Sequence, residues 1–278
     1  MIIKHFIVTY KNEDILQKVL NFINSQPIPE GVNYKIYVIN NYGYLKPMPN
    51  NNFIGLNNIL RLDTSTGHLA RNWNQALMLG FEDLNNPKSD IVMLSQGDCF
   101  FQKDYLYKTI KAHETYEFIQ QGSGDEFHSY KAEHIKKTGI WDERFCGIGF
   151  QEVDYFYRSC ILNTENVAIN KSFYLEDKSH NYFNIIDCES KTGWERQDES
   201  HLASYNLIHQ YCLDFLLRKY GIKEKLIIGE NCNELIDLLI DEVNLPVINT
   251  DVLYPYFEKD IDKETLEKLN YTNFIYEK

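Results

Sequence analysis

The side chain with the clearest chemical use is Asp98, which closes the stretch Asp90-Ile91-Val92-Met93-Leu94-Ser95-Gln96-Gly97-Asp98. Its apolar run, Ile91 to Leu94 between polar flanks, fits a strand buried on both faces, as in the middle of a parallel sheet. Open α/β sheets bind ligands where such strands end at their carboxyl side. Asp98 falls there, behind a glycine that lets the backbone turn or approach a ligand closely. A carboxylate so placed can hold a divalent metal and, through it, a diphosphate; the plain alternative is a cap on the following turn. A second acidic group, Glu152 and Asp154, lies in Gln151-Glu152-Val153-Asp154 at the start of a helical stretch. Acids at i and i+2 do not share a helix face, so the two serve different neighbours.

The elements that must position these groups follow from the pattern. Ile2 to Tyr10 reads as a first buried strand, and Asn12-Glu13-Asp14 caps a helix over Ile15 to Ser25. Tyr34 to Ile39 is a second strand that ends in Asn40-Asn41, where Asn also favours plain turns. A short strand is expected near Ile59 to Leu62. Gly67 to Gly80 reads as a helix whose start points at the site, with Leu69, Trp73, Ala76, Leu77 and Gly80 on its buried face. After Asp98 the spacing predicts an amphipathic helix over Asp104 to Gln120. Gly122 to Asp125 is a turn cluster, Phe127 to Tyr130 a strand, Glu133 to Thr138 a short helix and Gln151 to Cys160 another. Val167 to Leu175 is a further strand, and His201 to Tyr220 is helical, stopped by Gly221.

The 278 residues, 44% of them hydrophobic, suffice for one sizeable α/β domain. A net charge of -12 argues against a nucleic-acid footprint, which needs clustered Lys and Arg. The six cysteines, Cys99, Cys146, Cys160, Cys188, Cys212 and Cys232, form no C-x-x-C pair, so they read as reduced thiols in a cytoplasmic setting. No signal-peptide layout or apolar stretch of membrane-spanning length is visible.

Taken in order, five stretches resemble the family 2 type of GT-A glycosyltransferases over roughly residues 1 to 200. Phe6-Ile7-Val8-Thr9-Tyr10-Lys11-Asn12-Glu13 is similar to the family's first strand and its P-T-Y-N-R-E-like end, without the Pro. Tyr37-Val38-Ile39-Asn40-Asn41 is similar to the strand that meets the nucleoside, and Ala70-Arg71-Asn72 to the A-R-N that begins the next helix. Gln96-Gly97-Asp98 stands where D-x-D belongs. Lys137-Thr138-Gly139-Ile140-Trp141-Asp142-Glu143-Arg144-Phe145 followed by Gln151-Glu152-Val153-Asp154 is similar to G-G-F-D-E-x-F followed by E-D-x-D-L. Two positions depart: Gln96 replaces the first Asp of D-x-D, and Gln151-Glu152 replaces Glu-Asp.

The resemblance implies an α/β, GT-A (Rossmann-like) mixed sheet flanked by helices over residues 1–200, with a mainly helical C-terminal extension over 201–278. It implies transfer of a hexosyl group from a nucleotide-sugar donor, UDP-linked, to a glycan or lipid-linked saccharide acceptor, with inversion and metal assistance, as in polysaccharide biosynthesis. Thr9, Tyr10 and Asn40 would line the nucleoside pocket, and Arg71 would supply fixed charge near diphosphate or uracil. Asp98 would hold Mn²⁺ or Mg²⁺, with His180 completing the shell. Glu152 would take the proton of the acceptor hydroxyl, and Asp154 would stand close by, as a structural acid or as the base itself. His68 could touch a phosphate, and the aromatics Trp141, Phe145, Phe150, Tyr155, Phe156 and Tyr157 are either core or sugar-stacking faces. Peripheral membrane contact fits a lipid-linked acceptor. Two other readings stand beside this one: a catalytically inactive glycan-binding or scaffold relative, and a sugar-nucleotide pyrophosphorylase, whose Gly-rich loop after the first strand is missing here.

Overall fold

The structure is a computed structural model that describes residues 1–11, 13–41, 45, 48, 52–57, 69–122, 124–145, 150–163, 166–168, 185–187, 210–217 and 219. In chain order the elements are β1 (Ile2–Thr9), α1 (Glu13–Ser25), β2 (Asn33–Asn40), β3 (Ile54–Asn57), α2 (Leu69–Phe81), β4 (Ile91–Gln96) and β5 (Phe100–Phe101). Then come α3 (Tyr105–Ala112), β6 (Phe118–Gln121), β7 (Phe127–Tyr130), α4 (Ala132–Thr138), α5 (Phe150–Leu162), β8 (Val167–Ala168) and β9 (Ile186–Asp187).

Seven strands form one sheet in the order β3-β2-β1-β4-β7-β6-β8, and β5 pairs with β9. The strands β3, β2, β1 and β4 run parallel. β7 is antiparallel to both β4 and β6, and β8 is parallel to β6. The expected mixed α/β sheet flanked by helices is therefore present, with β1 and β4 at its centre.

Both central strands are covered on both faces, because alternate side chains enter two separate cores. Ile3 and Ile7 of β1 and Ile91 and Met93 of β4 pack with Leu16, Val19, Leu20 and Ile23 of α1 and with Tyr105 and Leu106 of α3. Phe6 and Val8, Val92 and Leu94 pack on the opposite face with Trp73, Ala76 and Leu77 of α2 and Val153 and Phe156 of α5. Each buried Val, Leu, Ile, Phe or Met among them contributes roughly 1.5–3 kcal/mol. α2 lies so close to β4 that a Cβ on Gly80 would stand 2.5 Å from Val92 Cγ2, which accounts for glycine on that buried face.

Three differences from the sequence reading concern local competition with tertiary pairing. The helix expected over Asp104 to Gln120 stops at Ala112, and Phe118–Gln121 is strand β6, held between β7 and β8. Phe118 and Ile119 are fully buried, one in each core, as period-two alternation requires. A short strand does occur after β2, at Ile54–Asn57, ahead of the expected Ile59 to Leu62. Residues 210–217 are helical, and Cys212, Phe215 and Leu216 join the core formed by α2 and α5, so this part of the expected extension is packed into the same unit. The Ile59 to Leu62 stretch, the helix start at Gly67 and His68, His180, most of the Val167 to Leu175 strand and the segment from Gly221 onward lie outside the described residues. Cys99 is buried in the core against α1 and α3, and Cys212 in the core against α2 and α5.

Candidate functional site

The chain runs β1, β2, β3 to one side and then returns to place β4 on the other side of β1, which makes the β1/β4 boundary a topological switch point. Its carboxyl edge is level, since Thr9 pairs with Asn40 and Val8 with Gln96. Gly97 N–H donates to Val8 O at 2.7 Å, and Asn41 N–H to Thr9 O at 3.1 Å. A Cβ on Gly97 would lie 3.1 Å from Thr9 Cβ, Thr9 Oγ1 and Val8 O, so glycine is what lets the β4 end close onto β1. Thr9, Asn40 and Asp98 are buried at this edge, and Tyr10, with Lys11 Nζ 5.0 Å from its ring centroid, follows directly after β1. Asn40 Nδ2 donates to Asn57 Oδ1 at 3.0 Å, which ties β2 to the end of β3.

Asp125, read from the sequence only as part of a turn, is the polar centre of this region. Gln96 Nε2 donates to its Oδ1 at 2.6 Å, while Trp73 Nε1 and Gln151 Nε2 donate to its Oδ2 at 2.8 and 2.9 Å. Burial pushes the Asp125 carboxyl up to about 6 against the pull of these three donors. The two glutamines that stand in place of acids at positions 96 and 151 thus converge on one carboxylate. Acids there would set three negative groups against each other. Behind this cluster, His128 stacks edge-on against Trp73 at 4.8 Å, shares a 2.9 Å hydrogen bond between its Nδ1 and Tyr130 Oη, and is held neutral because burial lowers it to about 3.

Glu152 lies in the first turn of α5, is buried, and passes close to the same turn, since a Cβ on Gly124 would stand 2.8 Å from its Oε1. Gly124, at φ +60, supplies both the left-handed backbone and the missing side chain. Asp154 has a different setting. Its carboxylate is fully buried, 3.0 Å from Arg158 and 2.5 Å from Lys219 Nζ. Lys219 also reaches Asp142 Oδ2 at 2.8 Å, and Arg144 pairs with Asp142 as well. Burial by itself would raise the Asp142 carboxyl, but Lys219 and Arg144 hold it well below the usual carboxylate range. Arg158 donates to Thr138 O at 2.6 Å and Ile140 O at 3.0 Å, binding α5 to the end of α4. Asp154 therefore sits in a charge network that fixes the helix carrying Glu152.

Arg71 Nε donates to Glu143 Oε2 at 2.9 Å, and the arginine side chain is half exposed. Asn74 clamps the same loop: its Nδ2 donates to Trp141 O at 2.8 Å and Glu143 Oε1 at 3.0 Å, and its Oδ1 accepts from Trp141 N–H at 2.9 Å. The stretch Ala70-Arg71-Asn72 and the segment from Lys137 to Phe145, separated in sequence, are thus joined through Arg71, Asn74 and Glu143. The six aromatics from Trp141 to Tyr157 are buried in one core, with Trp141 stacked on Tyr155 at 4.3 Å, so they are packing residues.

The described residues hold no group of three His, Cys, Asp or Glu side chains arranged for a metal ion. Asp98 offers one carboxylate, and Mg²⁺ or Mn²⁺ held by one carboxylate, water and substrate phosphates accords with such a donor set. His180, the expected additional ligand, lies outside the described residues.

No family model matches the sequence, and no curated protein matches it by sequence. The solved structures to which the chain is similar include three with a nucleotide or nucleotide sugar bound. One is S. aureus TarS residues 1–349 in complex with UDP, at 13% identity and TM-score 0.43, over 61% of this chain and 57% of that one. Another is a mannosyltransferase from Pyrobaculum calidifontis with GDP-Man and Mn²⁺, at 12% identity and TM-score 0.46, over 79% and 71%. A Drosophila β-1,4-galactosyltransferase 7 mutant with manganese, UDP-Gal and xylobiose matches at 12% identity and TM-score 0.42, over 72% and 75%.

Of the residues singled out in the sequence, Thr9, Asn40 and Asp98 share the switch-point edge, and Glu152 stands beside the turn that carries Asp125. Asp154 and Arg71 are engaged in ion pairs with Arg158, Lys219 and Glu143. The residues missed were Asp125, Asn74 and Lys219. Gly122 and Gly124, both at positive φ, were the visible signal for a tight turn before Asp125, but turn chemistry alone does not reveal three distant donors.

Proposed function

We propose that this chain transfers a sugar from a UDP-linked donor to a hydroxyl of a glycan or lipid-linked saccharide, with inversion and with a divalent cation. The supporting observation is the position of Asp98: it is buried immediately after β4, at the carboxyl edge where β4 meets β1 and the strand order reverses. Thr9, Tyr10 and Asn40 would face the nucleoside from the ends of β1 and β2. Asp98 would hold Mn²⁺ or Mg²⁺. A bound cation would neutralise charge on the departing nucleoside diphosphate.

Glu152 is the base in this reading. It takes the proton from the acceptor hydroxyl as the oxygen attacks the anomeric carbon, and the sugar–phosphate bond breaks on the opposite face. Asp154 serves by position: its pairing with Arg158 and Lys219 holds α5, and hence Glu152, against the 122–126 turn. Burial of Glu152 limits access of water, which would otherwise compete with the acceptor.

Calorimetry with UDP and Mn²⁺, followed by release of UDP from UDP-glucose, UDP-galactose and UDP-N-acetylglucosamine, tests the proposal. Metal-dependent UDP binding with slow donor hydrolysis is expected. No binding at millimolar UDP refutes it. Binding of glycans without any turnover supports the inactive glycan-binding reading, which the neutral glutamines at positions 96 and 151 favour.

A further inference from the structure

We infer that Asp125 is a positioning residue: it fixes the carboxamide orientations of Gln96 and Gln151 and so couples the strand end that leads to Asp98 with the helix start that carries Glu152. The inference rests on the proposed function for its consequence and on geometry alone for its premise. Asp125 Oδ1 accepts from Gln96 Nε2 at 2.6 Å, and Oδ2 accepts from Trp73 Nε1 at 2.8 Å and Gln151 Nε2 at 2.9 Å. A carboxylate accepts only, so neither glutamine can turn its amide round without setting oxygen against oxygen. Each amide therefore keeps its oxygen on the side away from Asp125. Gln151 is 2% exposed and its Oε1 has no hydrogen-bond partner among the described residues, an orientation that a free amide would not retain at a cost of about 1–3 kcal/mol. Only Gly97 separates Gln96 from Asp98, and Gln151 directly precedes Glu152. One buried carboxylate thus sets which atom both glutamines present.

The unequal loading of the two oxygens makes a position-specific forecast. In Asp125→Asn the amide oxygen belongs where Oδ2 was, because the Trp73 indole can only donate and Gln151 donates there too. The new NH₂ then faces the Gln96 NH₂, and Gln96 must turn its amide round and present nitrogen where it had presented oxygen. Adding Gln96→Glu supplies an acceptor on both sides and restores the original arrangement. Adding Gln151→Glu instead sets acceptor against acceptor.

The test uses side-chain amide NMR together with calorimetry of UDP in the presence of Mn²⁺. In Asp125→Asn the Gln96 NH₂ signals should lose their hydrogen-bonded shift while the Trp73 indole and Gln151 NH₂ signals keep theirs. UDP affinity should fall about tenfold, the low end for losing a group that orients a site. Asp125→Asn with Gln96→Glu should recover affinity, and Asp125→Asn with Gln151→Glu should not. Unmoved Gln96 signals, unchanged affinity in Asp125→Asn, or equal rescue by the two glutamates overturns the inference. If Asp125→Asn does not fold, the unaltered protein decides: Trp73 indole and Gln151 NH₂ protons share one acceptor oxygen and must show a mutual nuclear Overhauser effect, and its absence overturns the inference. If the unaltered protein binds no UDP, the proposed function fails, while the amide signals still decide the positioning role.

Discussion

Lys219→Met tests whether the segment beyond residue 200 is a working part of the site framework. The substitution removes an ammonium that is 2.8 Å from Asp142 and 2.5 Å from Asp154, two carboxylates whose side chains are 6% and 0% exposed. Removing one partner of a buried ion pair typically costs about 3–5 kcal/mol. Here each acid keeps an arginine, Asp142 with Arg144 and Asp154 with Arg158, so the remaining charges still balance and the low end, about 3 kcal/mol, applies. The stem of Met retains the packing of the aliphatic part of Lys219 beside Phe145. Urea unfolding at neutral pH should show a lower midpoint with an unchanged slope. The pH dependence supplies a second check. The Asp142 carboxyl is lower when folded than unfolded, so its contribution is present above its unfolded value and is lost as pH falls through the folded one. The difference between the two proteins should therefore shrink below about pH 4. Combining Lys219→Met with Asp154→Asn should cost less than the sum of the two. A loss below about 1 kcal/mol, the scale of an exposed pair, would show that the lysine is not buried between these acids.

Asp98→Asn, a near-isosteric change at a buried position, should remove metal-dependent UDP binding and leave the fold intact by circular dichroism; equal affinity in the variant refutes the metal role. Glu152→Gln should lower turnover by roughly 10² while UDP binding persists, whereas Asp154→Asn should act mainly on unfolding midpoint. If turnover survives the first and collapses in the second with stability intact, Asp154 is the base. The acid limb of stability is set by buried histidines: burial lowers His5, His113 and His128 to about 3 and pushes His134 well below its ordinary value. Each is neutral in the folded protein and gains a proton on unfolding once the pH drops below 6.5, so stability is full above that value and falls as pH falls toward 3. Asp125, raised to about 6, works in the opposite sense and offsets about one of the four. Urea unfolding should show losses of up to roughly 4 kcal/mol per pH unit below pH 6, and a flat profile refutes this account.

The sequence by itself determined the elements whose burial is total or strictly periodic. The runs in β1 and β4 are predominantly apolar and read as buried strands, which they are, and Phe127–Tyr130 lies between a turn and a helix and falls where its pattern put it. Helix α2 was legible because Trp73, Ala76, Leu77 and Gly80 recur at helical spacing, and all four are buried. Strand-end logic likewise put Thr9, Asn40 and Asp98 on one edge, since parallel strands bring their carboxyl ends together. What the tertiary structure decided were the pairings made across long separations. Phe118–Gln121 continued a helical pattern in one dimension and became a strand because β7 and β8 offered hydrogen bonds on both sides. Asp125 became the polar centre of this edge because α2, β4 and α5 deliver Trp73, Gln96 and Gln151 to it, and Asp154 joined a buried ion-pair network because residue 219 returns a lysine to it. A carboxylate's neighbours set its role, and those neighbours lie 26 to 65 residues away in this chain, far beyond the reach of any local pattern.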